Sequence, residues 1–249
     1  MKRVLVVGLG RFGGGVAAAR YFAGRGDEVT VTDAKDRASL EASVAEVEPL
    51  GVRLRLGGHD PDDYDRADVV VVNPAIPFDD PLIARARARG KEIRTEIGLT
   101  LRLLPGPVVG VTGTKGKSTT SSLLAAMLRA SGRRVALGGN IGRPLLNEAA
   151  AMAQDTVAVL EISSFQLAWL EHDAFAPRAV VVTNLTGDHL DRHPGFDHYA
   201  AAKGRLVAAV PPSGVAVLRR GDPVCEGYAR TCRGRVEWFG PGLEPPVPL

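Results

Sequence analysis

A glycine- and lysine-rich stretch near the middle of the chain, residues 110–119, reads GVTGTKGKST. A short apolar run at 108–111 leads into this stretch and overlaps its first two residues. Residues 118–130, which begin within the stretch, have the composition of a helix. Glycines let a backbone wrap closely around phosphates, and the N–H groups at the start of a helix favour anions. The spacing is a variant of the phosphate-loop pattern G-x-x-x-x-G-K-[ST], since Val111 stands where that pattern has its first glycine. The stretch therefore predicts binding of ATP or GTP.

Two side chains of this loop have specific expected roles. Lys117 is expected to reach the β- and γ-phosphates, and the Ser118 hydroxyl is expected to ligate Mg²⁺. Six of the 31 Lys and Arg residues are lysines, and the rest are arginines. In a chain that uses arginine so heavily, a lysine in this loop indicates a position that needs a compact point charge rather than a broad guanidinium group. The helix after the loop is predicted to carry Leu123, Leu124, Met127 and Leu128 on one side. The predicted ATP-binding residues are Gly113, Thr114, Lys115, Gly116, Lys117, Ser118 and Thr119.

A second glycine cluster, GLGRFG at residues 8–13, lies between a predicted strand at 4–7 and a predicted helix at 16–24. This is the context that the dinucleotide-binding pattern G-x-G-x-x-G requires. Asp33 ends the next predicted strand, 20 residues beyond Gly13, where an acid contacts a ribose or a base. The pattern predicts the diphosphate of a nucleotide rather than NAD in particular. A turn without a ligand is the alternative for the glycines, and a turn or helix cap is the alternative for Asp33.

Short apolar runs alternate with alanine-rich helical stretches, which is typical of an α/β fold with parallel sheets. Strands are predicted at 4–7, 28–32, 52–56, 68–72, 108–111, 134–137, 157–160, 179–183 and 215–218, and helices at 16–24, 81–89, 118–130 and 196–209. The segment LPGP at 104–107 predicts a linker. We therefore expect an N-terminal Rossmann-like parallel-sheet domain at 1–104 and an incomplete, P-loop-type α/β central domain at 107–249.

Composition excludes several classes of protein. The 249 residues are 45% hydrophobic and 24% charged, which is a globular composition. The net charge of +3 comes without a block rich in Lys and Arg, so nucleic-acid binding is not expected. The apolar runs are far shorter than the roughly 20 residues of a membrane helix. Cys225 and Cys232 match no disulfide framework and no zinc spacing, so we expect reduced thiols in a cytoplasmic protein.

Acids, histidines and a lysine follow the phosphate loop in the chain. Glu161 ends an apolar run, and an acid at the carboxyl end of a strand beside a phosphate loop typically holds Mg²⁺; a plain strand-end carboxylate is the alternative. Residues 183–193, TNLTGDHLDRH, bring two acids and two histidines into one loop. The clustering of these four side chains predicts a metal or phosphate role for His189. For His193 a simple loop position is predicted. Lys203, in the helix predicted after the loop, has by itself the pattern of a surface lysine.

Four segments together resemble the Mur ligases, the ATP-dependent amide ligases of peptidoglycan synthesis. They are TGTKGKST at 112–119, GGNIG at 138–142, LEISSFQL at 160–167 and NLTGDHLDRH at 184–193. The last three are similar to the members that add D-glutamate, while Lys115 stands where asparagine is commoner. The resemblance covers essentially the whole chain. It implies an enzyme that joins D-glutamate to UDP-N-acetylmuramoyl-L-alanine through an acyl phosphate, with ATP and two Mg²⁺ ions as cofactors.

The same resemblance implies roles for single residues. The UDP substrate is expected to be held by Gly10, Arg11, Phe12, Gly13 and Asp33, with Asn73 near the same nucleotide and Asn140 at the muramoyl peptide. Ser118 and Glu161 are implied as ligands of one Mg²⁺, and His189 and Lys203 as ligands of a second, with Lys203 carbamylated by CO₂. The implied catalytic residues are Lys117, Glu161, His189 and Lys203.

The resemblance also bears on the whole protein. It implies a monomeric cytoplasmic enzyme of cell-wall synthesis, with consequences for cell shape and division, and without nucleic-acid or membrane partners. Family members have a third domain that binds the incoming amino acid, and this sequence has no counterpart of it. We therefore expect the chain to be a fragment of such a ligase.

Two other functions fit parts of the sequence. A nicotinamide-dependent dehydrogenase explains the first glycine cluster and Asp33, but it leaves the phosphate loop, Glu161 and His189 without a role. A P-loop nucleotide-binding protein without ligase activity, such as a switch or a partitioning ATPase, explains the phosphate loop alone. Release of ADP that depends on a muramoyl substrate distinguishes the ligase from both.

Overall fold

The computed structural model describes residues 1–10, 13–170, 175–187 and 193–241. The chain divides into two compact units, each of the α/β class. The first comprises Met1–Pro105, Gly142–Met152 and Ala168–Asp173, and the second comprises Gly106–Ile141, Ala153–Leu167 and Ala174–Leu249. Two short segments from the second half of the sequence therefore belong to the first unit.

The elements are numbered along the whole chain. Residues up to 105 form β1 Arg3–Val7, α1 Gly14–Ala23, β2 Glu28–Asp33, α2 Glu41–Val47, β3 Arg53–Leu56, α3 Pro61–Arg66, β4 Val69–Val72, α4 Pro81–Ala88, β5 Glu92–Arg94 and α5 Glu96–Leu103. Later residues form β6 Val108–Thr112, α6 Lys117–Ala130, β7 Val135–Gly139, α7 Leu146–Ala149, β8 Val157–Glu161, α8 Ser164–Ala168, β9 Ala179–Val182, α9 Phe196–Ala208, β10 Val215–Arg219, α10 Pro223–Thr231 and β11 Arg235–Phe239.

Within the described residues, each unit is built on one parallel sheet. The strand orders are β3-β2-β1-β4-β5 in the first unit and β11-β10-β9-β6-β8-β7 in the second. In both sheets later strands of the chain lie on both sides of a central strand, β1 or β6, and ligands bind α/β sheets at the carboxyl end of such a strand. The predicted fold class, two parallel-sheet α/β domains, is confirmed.

The core of the first unit explains why its two central strands, β1 and β4, are almost continuously apolar. Val4 and Val6 of β1 pack in a cluster with α1 and α2, while Leu5 and Val7 pack in a second cluster with α3 and α4. Successive side chains of a strand point to opposite faces, so a sheet covered by helices on both faces needs apolar residues throughout.

The helix after the phosphate loop, α6, buries only part of its apolar side. Ser121 and Ala125 are its buried positions, and Leu124 and Leu128 are partly buried against the sheet cluster. Leu123 and Met127 are exposed, so only part of the side that carries the four large apolar residues packs against the sheet. At 100° per residue, Leu123 and Met127 lie almost opposite Ala125, and the small residues allow α6 to pack closely.

The sequence prediction missed two elements at the end of the second unit, α10 and β11. Asp222 accepts hydrogen bonds from the N–H groups of Val224 (3.0 Å) and Cys225 (3.2 Å), and Pro223 occupies the first turn, which together start α10. Cys225 and Cys232 are free thiols. No helix among the described residues has the length and apolar character needed to cross a membrane.

Candidate functional site

The phosphate loop connects β6 directly to α6. Gly113 has φ 138° and Gly116 has φ 82°, which are backbone conformations that favour glycine. A Cβ atom on Gly113 would overlap the hydroxyl oxygen of Thr183. The first N–H groups of α6 have no partners within the helix, and they follow the loop at the carboxyl end of a central strand. This arrangement can bind an anion such as a phosphate.

Thr114 faces inward and joins the loop to its neighbours. Its hydroxyl lies 2.9 Å from the hydroxyl of Tyr199 on α9 and 3.1 Å from the carbonyl oxygen of Thr186. The Thr186 N–H donates back to the same hydroxyl at 3.0 Å. Thr114 is therefore a structural part of the loop in this geometry.

Lys117 and Ser118 begin α6 with their side chains engaged inside the site. The Lys117 ammonium donates to the carbonyl oxygen of Thr114 at 2.9 Å, so it lies back over its own loop. The Ser118 hydroxyl donates to Oε2 of Glu161 at 2.6 Å. Asn140 donates its amide Nδ2 to the other carboxylate oxygen, Oε1, at 2.8 Å. Strands β6, β8 and β7 pair in parallel, and this pairing brings Ser118, Asn140 and Glu161 to one edge of the sheet although they are distant in sequence.

The donor set at Glu161 fits a magnesium ion. The carboxylate and the Ser118 hydroxyl are hard oxygen donors, and Mg²⁺ in nucleotide sites is held by one or two carboxylates together with phosphates and water. Over the ranges that the structure describes, no group of three or more His, Cys, Asp or Glu side chains is placed to hold a metal. The predicted ligand His189 lies outside the described residues.

Lys203 is buried, with 2% of its surface exposed, so the surface position that its sequence context indicated is wrong. Its ammonium donates to the carbonyl oxygen of Gly113 at 2.8 Å and lies 4.7 Å from the ring centroid of Tyr199. The close approach of α9 has a local cause, because Gly110 of β6 has no side chain where Leu206 packs. Lysines are rarely buried without partners, and the partners of Lys203 attach α9 to the phosphate loop.

His193 lies in the loop before α9, as predicted, and it is buried there, with 4% of its surface exposed. Its Nε2 lies 3.0 Å from the Ser164 hydroxyl, its Nδ1 lies 2.9 Å from Nδ1 of His198, and its ring stacks on Phe165. These contacts join the segments that follow β8 and precede α9. No periodicity or spacing in the sequence distinguishes this histidine from an exposed one.

The first unit carries the second glycine loop between β1 and α1. Gly10 and Gly13 have φ 71° and 73°, and a Cβ atom on Gly15 would overlap the backbone of Leu9. The side chain of Asn73 fills the space against Gly10, where a Cβ atom would collide with its Nδ2. Because Oδ1 of Asn73 accepts the N–H of Ala75 at 2.9 Å, the amide donor is the group turned toward the glycines. Arg11 and Phe12 lie outside the described residues.

Asp33 uses both carboxylate oxygens within the protein. Oδ2 accepts the N–H of Leu9 at 3.0 Å, and Oδ1 accepts the N–H of Lys35 at 2.9 Å. The acid therefore ties the glycine loop to the turn after β2. At the same sheet edge, the Thr32 hydroxyl lies 2.8 Å from Nδ1 of His59, a residue that sequence reasoning did not select.

Glu96 is a buried acid beside the start of α1. Its Oε1 accepts the Thr100 hydroxyl at 2.7 Å, and its side chain lies next to Gly14. Burial raises the pKa of the Glu96 carboxyl to about 7, while hydrogen bonds from the Thr100 hydroxyl and the Leu146 backbone act in the opposite direction. The net effect is a raised pKa, because desolvation penalises the charged carboxylate more than these two donors stabilise it.

We expect the free energy of unfolding to fall as pH rises through 7 because of Glu96. The folded-state pKa lies above the ordinary value of 4.5, so the stabilising contribution is complete below about pH 4.5 and is lost as pH rises through about 7. The shift corresponds to about 3 kcal/mol. Urea unfolding at pH 5 and pH 8 should show a smaller pH dependence in Glu96→Gln than in the wild type. Equal dependence in both would contradict the assignment.

Comparison with known proteins adds to this geometry. The family model described as Mur ligase middle domain matches residues 111–239, which is more than half of the chain. The chain belongs to the Mur ligase family. A second model, described as Mur ligase MurD-like, N-terminal domain, matches residues 2–95 of this Mur ligase chain. The resemblance predicted from the four sequence segments is confirmed.

Relatives with a named activity match nearly the whole of this Mur ligase chain. The UDP-N-acetylmuramoylalanine–D-glutamate ligase of Anaeromyxobacter dehalogenans is 47% identical over 99% of this chain and 52% of its own length. The ligase of the same name from Koribacter versatilis is 39% identical over 96% of this chain and 52% of its own length. This chain thus spans about half the length of the curated relatives it matches.

Solved structures support the fold. The UDP-N-acetylmuramate:L-alanyl-gamma-D-glutamyl-meso-diaminopimelate ligase from Neisseria meningitides aligns with a TM-score of 0.65 at 24% identity. The alignment covers 96% of this Mur ligase chain and 78% of that chain. At this level of identity the likeness establishes the shared fold alone.

Proposed function

We propose that this chain is the part of a Mur ligase that binds the UDP substrate and ATP, in an enzyme that adds D-glutamate to UDP-N-acetylmuramoyl-L-alanine. The observation that carries the proposal is the cluster of Ser118, Asn140 and Glu161 at the mouth of the phosphate loop. The 47% identity to a ligase of that name supports the same reaction. A cytoplasmic, monomeric enzyme of cell-wall synthesis is part of the proposal.

In the proposed reaction, the substrate carboxylate attacks the γ-phosphorus of ATP, which breaks the bond to the β,γ-bridging oxygen and releases ADP. The amine of D-glutamate then attacks the carbonyl carbon of the acyl phosphate, loses a proton and expels phosphate. Lys117 serves by placing a positive charge on the transferring phosphoryl group, where negative charge accumulates. The N–H groups at the start of α6 orient the phosphates.

Magnesium would supply electrostatic stabilisation of the phosphates when bound. Glu161 and Ser118 are the residues proposed to hold one ion. Asn140 keeps the Glu161 carboxylate oriented through its 2.8 Å hydrogen bond, besides its proposed contact with the muramoyl peptide. His189 and a carbamylated Lys203 are proposed for a second ion.

In the first unit, the glycine loop and Asn73 are proposed to bind the diphosphate of the UDP substrate. Donors at this loop include the Asn73 amide, which is turned toward Gly10. Asp33 supports the loop by accepting the N–H of Leu9, so its effect on ligand binding is expected to be at least partly indirect.

We expect the chain to bind a uridine diphosphate sugar and to discriminate against NAD. Titration calorimetry with UDP-N-acetylmuramoyl-L-alanine should give saturable binding, while NAD at the same concentrations should give none. Asp33→Asn should weaken the first interaction, because an amide that replaces the carboxylate must turn a donor toward the N–H of Leu9 or Lys35. Tight NAD binding without binding of the muramoyl nucleotide would favour the dehydrogenase instead.

A further inference from the structure

The main chain of Lys115, at the tip of the phosphate loop, is hydrogen-bonded on both sides by one side chain. The Lys115 N–H donates to Oδ1 of Asn184 at 3.1 Å, and Nδ2 of Asn184 donates to the Lys115 carbonyl oxygen at 3.0 Å. The main-chain carbonyl of Asn184 accepts a third bond, from the N–H of Thr114, at 2.8 Å. We call these three contacts the Asn184 clasp.

The chemistry of the clasp selects asparagine. A primary amide offers a donor and an acceptor side by side, which is the pairing that the N–H and C=O of one residue require. Aspartate keeps the acceptor but places an oxygen against the Lys115 carbonyl. Alanine offers neither group, and it leaves only the Thr114 contact, which depends on the main chain of residue 184.

The segment that carries Asn184 is itself held in place. The Thr183 N–H donates to the Thr112 carbonyl at 3.0 Å, and the Thr183 hydroxyl donates to the Lys115 carbonyl at 2.7 Å. On the other side, the Leu185 N–H donates to Oδ2 of Asp222, the residue that caps α10, at 3.0 Å. Asn184 is therefore presented to the loop from a fixed backbone.

The clasp determines which loop N–H groups face a ligand. The N–H groups of Thr114 and Lys115 donate to Asn184, so neither is free to bind a phosphate, whereas the first N–H groups of α6 have no partner within the helix. A loop held in this way before the ligand arrives does not have to be ordered on binding, and such preorganisation raises affinity.

We propose that Asn184 is a positioning residue that holds the phosphate loop in its anion-binding conformation. The inference rests on the proposed ATP binding and goes beyond it, because it assigns a role to a residue outside the loop. Asn184 acts through the main chain of Lys115 and does not have to touch ATP.

The test uses the 249-residue chain with Mg-ATP as the probe. The variants are Asn184→Ala, Asn184→Asp and, as a matched control, Asn147→Ala, which removes a side-chain hydrogen bond to the Ala17 carbonyl in the first unit (3.1 Å). Calorimetry gives the ATP dissociation constant, thermal unfolding gives stability, and amide hydrogen exchange followed by NMR reports on Lys115 and Thr114 separately.

We expect Asn184→Ala to bind ATP roughly three- to tenfold more weakly, as loss of a hydrogen-bonded pair implies, and Asn184→Asp at least as weakly. The Lys115 amide should lose exchange protection in Asn184→Ala while the Thr114 amide keeps it. Asn147→Ala should lower the unfolding temperature without changing ATP affinity.

Two results overturn parts of the argument separately. If the wild-type chain binds ATP and Asn184→Ala binds it equally well, or if the Lys115 amide stays protected in that variant, the positioning role is wrong. If the wild-type chain binds no ATP, the proposed function fails, and the exchange comparison alone then decides whether the clasp holds the loop.

Discussion

Lys117→Ala is expected to lower ATP-dependent turnover by at least about 100-fold and to weaken ATP binding by roughly tenfold or more. Charge-assisted hydrogen bonds contribute about 1.5–3 kcal/mol each, and loss of a group that stabilises transition-state charge typically costs about 10²–10³ in rate. In the structure the Lys117 ammonium already lies within the loop, 2.9 Å from the Thr114 carbonyl oxygen. It can therefore turn to a phosphate without any rearrangement of α6.

The measurement is calorimetry with Mg-ATP for this chain, with turnover followed in a protein that also carries the remaining length of the relatives. Arg129→Ala is the control, because it removes a positive charge from the other end of α6, where Arg129 donates to the Val135 carbonyl at 3.3 Å. The control should bind ATP normally. Equal ATP affinity in Lys117→Ala and the wild type would exclude the loop from the nucleotide site.

Lys203→Ala is expected to reduce ligase activity by at least the roughly 10–100-fold that loss of a group supporting a bound metal typically costs. The reason is the proposed carbamate: the neutral amine attacks CO₂, loses a proton and becomes an anionic oxygen ligand suited to Mg²⁺. At present the amine donates to the Gly113 carbonyl at 2.8 Å. Carbamylation leaves one N–H on this nitrogen, which can still donate to the Gly113 carbonyl, and adds two oxygens as potential metal ligands.

Carbamylation can be observed directly. NMR of the chain in ¹³C-bicarbonate with Mg-ATP should show a carbamate carbon signal, and Lys203→Arg should lack it because a guanidinium stays protonated. Short carboxylic acids should restore part of the activity of Lys203→Ala in the longer protein. Full activity of Lys203→Arg in CO₂-depleted buffer, together with no carbamate signal in the wild type, would show that Lys203 serves only as a buried structural lysine.

The residue pattern by itself determined the class of fold, the family and the position of both glycine loops. Strands such as β1 and β8 were predictable because a parallel strand covered on both faces is a continuous apolar run. Two of the missed elements, β5 and α3, have weak patterns. The strand β5 has three half-buried residues with charged ends, and the helix α3 is built almost entirely from polar residues.

Only the tertiary structure decided which side chains meet at each site. Lys203 and the Gly113 carbonyl are 90 residues apart in sequence, and Ser118 and Glu161, which only the family resemblance placed at one ion, are 43 apart. Their contacts depend on which strand ends lie side by side. The periodicity of a single segment does not specify the order of strands in a sheet. The Asn184 clasp and the two N–H bonds of Asp33 were also invisible in the sequence, because their partners are backbone groups that every residue but proline carries alike.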